Sequence, residues 1–263
     1  MSMPLGVQLY SVRDYASKDF VATLKKIAEI GFKYVEPAGF FNLTPAEFVK
    51  VCNDLGLKIC SSHSPWVRSP DNLGEAMDIA GVLGLKTIVC GWTPKEFQDI
   101  DSIKATAECV SKMQQTLAAN GFTLFQHNHF WEFERIDGRL KYEIFRELCP
   151  EVKYELDCFW STNKGTEDPV EMLKLFEKDT ILLHMKDGIC KQAAQNAGMK
   201  DGLLDMKIDL LPLGKGTLPI KQLVETAPNA QAVIVELDYC ESVEMYQALT
   251  ESYNFMVQNG IAE

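Results

Sequence analysis

The chain has 263 residues, 46% of them hydrophobic and 24% charged, a balance that supports a packed core and excludes wholesale disorder. With 37 acidic against 26 basic residues the formal charge is −11, which repels phosphate backbones and anionic lipids and makes nucleic acid and membranes poor partners. No apolar run approaches the roughly 18 residues of a membrane span, the first residues lack the pattern of a secretory leader, and the eight cysteines form no C-x-x-C pair. Reduced thiols in a cytoplasmic protein are the expectation.

A short apolar segment at 5–10 reads as a strand, and Phe20, Leu24, Ile27 and Ala28 then recur at helical spacing before a glycine cap at Gly31. The next strand is expected at 34–37. Thr44-Pro45-Ala46-Glu47 follows, a capping box with proline at the first helical position, opening a helix that stops at Gly56. One phrase recurs, Gly-Phe-Lys at 31, Gly-Leu-Lys at 56 and 84, and Gly-Phe-Thr at 121, each time between a helical pattern and an apolar strand.

The same grammar predicts strands at 58–63, 87–91, 123–129, 153–158, 181–187 and 232–238. Ile103, Ala107, Val110, Met113 and Leu117 form one helical stripe; Asp168-Pro169 opens another carrying Val170, Leu173 and Phe176; Met245, Leu249, Tyr253 and Met256 mark the last. Eight strands alternating with helices predict an α/β protein, a single (β/α)8 TIM barrel over residues 1–263, with a doubly wound open sheet as the alternative. The stretch 188–216 has no obvious element and is too long for a routine loop, so it is expected to cover the site or pack as an excursion on one rim.

Active sites of such barrels form at the C-terminal ends of the strands. Every histidine is expected there: His63 after the third strand, His127 and His129 at the fifth, His184 at the seventh. The acids Glu36, Asp157, Asp187, Glu236 and Asp238 fall at similar positions. Trp66, Trp92, Trp131 and Trp160 each lie just past a predicted strand, where indole faces beside polar groups can hold a sugar or polyol. Imidazole and carboxylate drawn from different strands make a mixed N/O set suited to manganese, zinc, cobalt or magnesium. Glu155 and Asp157 share strand parity, and Asp157, nearer the strand end, is the better ligand.

Seven short motifs stand in order: VQLYSVRD at 7–14, GFKYVE at 31–36, SSH at 61–63, QHNHFWEF at 126–133, ELDCFW at 155–160, LHMKD at 183–187 and VIVELD at 233–238. Together they resemble the xylose isomerase-like TIM barrels, a family that includes sugar-phosphate isomerases and epimerases, inosose dehydratase and AP endonucleases. The resemblance covers essentially the whole chain and implies one divalent metal ion held by Asp157, His184 and Glu236. Family epimerases carry a glutamate ligand on strand five; here His127 takes its place, with Gln126 and Glu132 as rival placements.

Glu236 or a histidine of the 127–129 triplet is the expected base, His129 an acid/base or substrate-orienting group, and Lys186 a neutraliser of enolate charge. His63, Glu36, Trp66, Trp92 and Trp160 are the expected substrate contacts. Arg13 and Asp14 in the first loop are weaker candidates for reaching substrate. Gly214-Lys215-Gly216 reads as a turn into a helix capped by Thr217, in preference to a phosphate loop. The implied activity is isomerisation or epimerisation of a sugar or sugar-derived polyol through an enediolate. Elimination from a keto-sugar or inosose by a dehydratase or lyase is the alternative, and AP endonuclease or noncatalytic sugar binding comes behind both. The expected partner is a small carbohydrate or polyol, and a homo-oligomer is compatible with the sequence.

Overall fold

Each apolar run predicted as a strand forms one in the computed structural model, which describes residues 3–190, 199–200, 203–204 and 208–263. The strands are β1 (Leu5–Gln8), β2 (Tyr34–Glu36), β3 (Lys58–Ile59), β4 (Thr87–Cys90), β5 (Thr123–His127), β6 (Lys153–Asp157), β7 (Thr180–Met185) and β8 (Val233–Val235). They build one parallel sheet in the order β3-β2-β1-β8-β7-β6-β5-β4. β1 pairs with both β2 and β8, as a ring requires, whereas a doubly wound sheet would reverse its strand order midway. The ladder is interrupted between β3 and β4. There the chain after β3 bridges instead, the Val67 N–H donating to the Val89 carbonyl at 3.1 Å.

Among the described residues, besides one turn at Arg13–Ala16, eight helices alternate with the strands: α1 (Phe20–Ile30), α2 (Pro45–Asp54), α3 (Leu73–Leu83), α4 (Ile100–Ala119), α5 (Lys141–Leu148), α6 (Pro169–Phe176), α7 (Ile220–Thr226) and α8 (Met245–Gln258). Their ends follow local chemistry. Thr44 and Glu47 form the reciprocal capping box of α2, and the Asp168 carboxylate accepts from the Val170 and Glu171 amides to start α6. Gly84 ends α3 at φ +73°, the left-handed conformation a side chain resists. The predicted stripe of α4 is buried from Ile103 to Leu117 and packs into the outer core between helices and sheet.

A second, smaller core lies inside the barrel, formed by Val89, Phe125, Leu182, Ala232 and Ile234. Alternate strand residues share a face, so His127 stands one step above Phe125, His184 above Leu182 and Glu236 above Ile234. The register aligns His127 with Glu155 and Asp157 with His184. An apolar floor therefore carries a polar layer at the strand ends.

All eight strands stop short of their predicted ends, and at two of them this moves a histidine off the strand. β3 ends at Ile59 and β5 at His127, so His63 and His129 sit in the loops that follow. β5 breaks off because the Asn128 amide turns across to β6, accepting from the Asp157 N–H at 2.9 Å and donating to the Asp157 carbonyl at 3.2 Å. The described part of 188–216 opens as an antiparallel ribbon, Asp187–Cys190 against Ile208–Leu211. The expectation that this stretch covers the site rests on 191–207, most of which lies outside the described residues.

Asp187 corrects a second expectation. It does not join the ring of acids; its carboxylate accepts from the Gly188, Gly214, Gly216 and Leu218 amides. The glycine turn is thus an anion nest filled by the chain's own carboxylate, and a Cβ on Gly216 would lie 2.1 Å from Asp187 Oδ1. Thr217 does not cap α7 either, since its hydroxyl donates to the Gly188 carbonyl. All eight cysteines are free. No helix among the described residues is long and apolar enough to cross a membrane.

Candidate active site and metal centre

At the C-terminal mouth of the barrel a cavity of about 200 Å³ is lined by His63, His127, His129, Lys186, Glu236 and Asp238, with Tyr10, Ala38, Trp66 and Trp160 on its walls. The Trp66 ring enters the mouth because Gly91 has no side chain; a Cβ there would fall 1.6 Å from the indole. On the far wall the His129 ring stacks on Trp131, centroids 4.2 Å apart.

His127, Asp157, His184 and Glu236 each offer a ligand atom, and these atoms lie within 4.8 Å of one another, all on buried residues. This is the quartet expected from the sequence, brought together from β5, β6, β7 and the end of β8. Two imidazoles and two carboxylates fit a divalent cation of the manganese, cobalt, zinc or magnesium group.

The carboxylates of the quartet are paired with cationic groups of the chain itself. Lys186, 1% exposed, donates to both Asp157 Oδ2 and Glu236 Oε2. Burial disfavours its charge, but Asp157, Asp238 and Glu236 outweigh burial and hold its pKa well above the usual lysine value. His184 bonds Glu236 Oε2 through Nδ1 and Glu36 Oε1 through Nε2, both at 2.8 Å. Against burial, Glu155, Glu236 and Glu36 hold its pKa well above the usual histidine value. As an imidazolium it donates from both nitrogens, so a metal taking one of them would displace a proton. Glu236 stays ionised: Lys186 and His184 overcome the burial penalty and hold it well below the ordinary carboxylate range.

His127 and His129 behave differently. Burial pushes His127 well below its ordinary value and, with the nearby Lys186 charge, brings His129 down to about 3, leaving both rings neutral near pH 7.

Of the expected substrate contacts, His63, Trp66 and Trp160 line the cavity. Trp92 is not among the residues that line it and packs in the main hydrophobic core. Glu36 lies beneath the cavity, fully buried, accepting from Gln8 and bonded to His184. Neither strand-five rival belongs to the quartet. Gln126 has the opposite parity to His127, and Glu132 sits in the following loop, where its Oε2 accepts from the His129 amide at 3.0 Å. Arg13 donates to the Tyr10 carbonyl at the first loop.

Sequence reading missed Gln8, whose side chain ties Glu36 to the Tyr10 amide, and Asn128, the clasp between β5 and β6. Gln8 was signalled only as a polar residue inside an apolar run, and Asn128 only by its place between two histidines. It also undervalued Glu155, which lies one step below Asp157, against His63.

A family model described as "Xylose isomerase-like TIM barrel" matches residues 24–248. The chain belongs to that family. No curated protein sequence matches it. Among solved structures, this xylose isomerase-like barrel is similar to a sugar phosphate isomerase/epimerase from Parabacteroides distasonis, at 20% identity and TM-score 0.74, over 100% of this chain and 96% of the other. A probable 3-DHS dehydratase, AsbF, from Bacillus anthracis aligns at 12% identity and TM-score 0.70, over 97% and 99% of the two chains. A xylose isomerase-like TIM barrel protein from Mycobacterium smegmatis in complex with magnesium aligns at 16% and TM-score 0.65, over 99% and 98%. At these identities the likeness shows the shared fold.

Glu132 gives the barrel a measurable pH signature. Burial raises its pKa from 4.5 to about 8, and one carboxyl oxygen has no partner. The unfolded chain ionises this group near 4.5 while the folded chain keeps it protonated. Its contribution to stability is therefore full below the unfolded value and is lost as pH rises through the folded one. Glu132→Gln removes that loss. The melting temperature of the variant relative to the parent is expected to climb between about pH 5 and pH 9, and a difference that stays flat over this range contradicts the burial argument.

Proposed function

We propose that this chain is a divalent-metal-dependent isomerase or epimerase of a sugar or sugar-derived polyol, working through an enediolate. The observation that carries the reading is the convergence of His127, Asp157, His184 and Glu236 within 4.8 Å at the base of a cavity walled by indole rings. A bound cation would act as a Lewis acid toward the oxygens that gain charge when a proton leaves the carbon beside a carbonyl.

The chain's own residues have separate tasks. Glu236, ionised and facing the cavity, removes the α-proton. Lys186 presents a fixed positive charge to the developing enediolate oxygen. Neutral His129 orients a hydroxyl, and the proton taken by Glu236 is returned at the same or the neighbouring carbon. His63 bonds a second hydroxyl, and Trp66 and Trp160 hold the apolar faces of the ring or chain. The expected setting is one domain over residues 1–263, in the cytoplasm, with a small carbohydrate as partner.

One observation favours a second reading. Strand five supplies His127 where a two-carboxylate isomerase needs a second acid. Of the histidines lining the cavity, His63 is the one whose pKa is raised, against burial, by Glu36 and Glu155, and it is suited to protonate a departing hydroxyl or alkoxide, which would make the enzyme a dehydratase or lyase of a keto-sugar or inosose. Both readings are tested by incubating the manganese-loaded protein in D2O with a panel of keto sugars and inososes. Solvent deuterium in recovered isomers supports isomerisation or epimerisation, an unsaturated or cleaved product supports elimination, and neither exchange nor product with any substrate removes both.

A further inference from the structure

Beneath the quartet lies a second set of titratable groups that the proposed chemistry leaves unused. Glu155, fully buried on β6, is its hub. Its Oε2 is hydrogen-bonded to His63 Nε2 and stands 3.2 Å from His127 Nδ1, while its Oε1 is 3.3 Å from His184 Nε2. Glu36 meets the same face of the layer, 2.8 Å from His184 Nε2 and 3.3 Å from His63 Nε2. Two of the three imidazoles gathered on Glu155 belong to the quartet, and each turns one nitrogen toward this carboxylate.

That geometry decides which nitrogen remains for a ligand. With Nε2 of His184 facing Glu36 and Glu155, its Nδ1 points to Glu236 and the cavity base. With Nδ1 of His127 facing Glu155, the opposite ring nitrogen is the one left for the quartet. A carboxylate behind a metal-bound histidine fixes the ring and its tautomer and strengthens it as a donor.

We propose that Glu155 is a positioning residue for the metal centre: it orients His127 and His184 from below and so sets cation affinity without being a ligand. The inference rests on the metal-centre reading above and concerns a residue outside the quartet. Its rival is that His63, His127, Glu155 and His184, whose ligand atoms also lie within 4.8 Å of one another, hold a second cation themselves.

The test compares the full-length parent, Glu155→Gln and Asp157→Asn. Manganese affinity and stoichiometry are measured by calorimetry, the cobalt-loaded forms by visible absorption, and folding by circular dichroism. One equivalent is expected in the parent. Glu155→Gln should keep that stoichiometry with a Kd raised roughly 10- to 100-fold and a shifted cobalt spectrum, while Asp157→Asn loses the site. An unchanged Kd and spectrum in Glu155→Gln overturns the proposal, as does a parent that binds two equivalents against one in the variant. A parent that binds no metal sinks the metal-centre reading and this inference together, an outcome distinct from the other two. Should Glu155→Gln fail to fold, His63→Gln decides, because it releases the Glu155 carboxylate from outside the quartet. A Kd raised severalfold supports the role, and a parental Kd removes it.

Discussion

Glu236→Gln is expected to slow α-proton exchange by roughly 10²- to 10⁴-fold, the usual contribution of a positioned acid/base group. Glu236 Oε2 is bonded to His184 at 2.8 Å and to Lys186, and the residue lines the cavity while lying only 4% exposed. Two positive neighbours keep it ionised, which a base requires, and confinement limits the water that would compete for its proton. The amide keeps the shape and can still accept from Lys186, so the loss reports charge and basicity more than packing. Deuterium incorporation by mass spectrometry, at saturating manganese with metal content measured alongside, separates the base role from a ligand role. Exchange within about threefold of the parent would move the base to another residue, His129 or Asp238 being the neighbours that also line the cavity.

Lys186→Met is expected to be the most destabilising single change at the mouth, and a divalent cation should reverse it. The Lys186 ammonium is the shared partner of Asp157 and Glu236, all three being buried. Removing one partner of a buried ion cluster leaves charge uncompensated and costs about 3–5 kcal/mol, which lowers the melting temperature by on the order of 10 °C in a chain of this size. The loss is expected in chelator. Saturating manganese should restore most of it, because Asp157 and Glu236 both belong to the quartet and binding to the folded state alone stabilises it. The readout is the melting temperature of parent and variant with EDTA and with manganese. If the gap between them is the same in both conditions, cation and lysine do not share these carboxylates.

The two predictions depend on residues of unequal legibility. Glu236 was readable because it closes an apolar run at the C-terminal end of a barrel strand, where strand parity turns it inward. Lys186 was readable as a strand-end residue, but its insertion between two carboxylates was not. A lysine at such a position is ordinarily solvated; only the closing of β6, β7 and β8 around it removes the water. Trp92 and Trp66 mark the same limit. Both follow a strand, yet Trp66 reaches the cavity through the gap left by Gly91 while Trp92 packs in the main hydrophobic core. Asp187, next in sequence to Lys186, was expected in the acid ring but is captured by the amides around Gly214 and Gly216.

The sequence alone determined the eight strands, the helices between them and the strand ends as the place where histidines and acids gather. Those features follow from short-range rules: the alternation of side chains along a strand, the spacing of apolar residues on a helix, and the caps and glycines that end each element. The tertiary structure decided the partnerships. Glu36 and His184 are 148 residues apart in the chain yet 2.8 Å apart in space, and Glu155 meets His63 across 92 residues. Which carboxylate neutralises which imidazole depends on separation and burial, since charges attract far more strongly once water is excluded. Separation and burial are fixed only when the ring of strands closes.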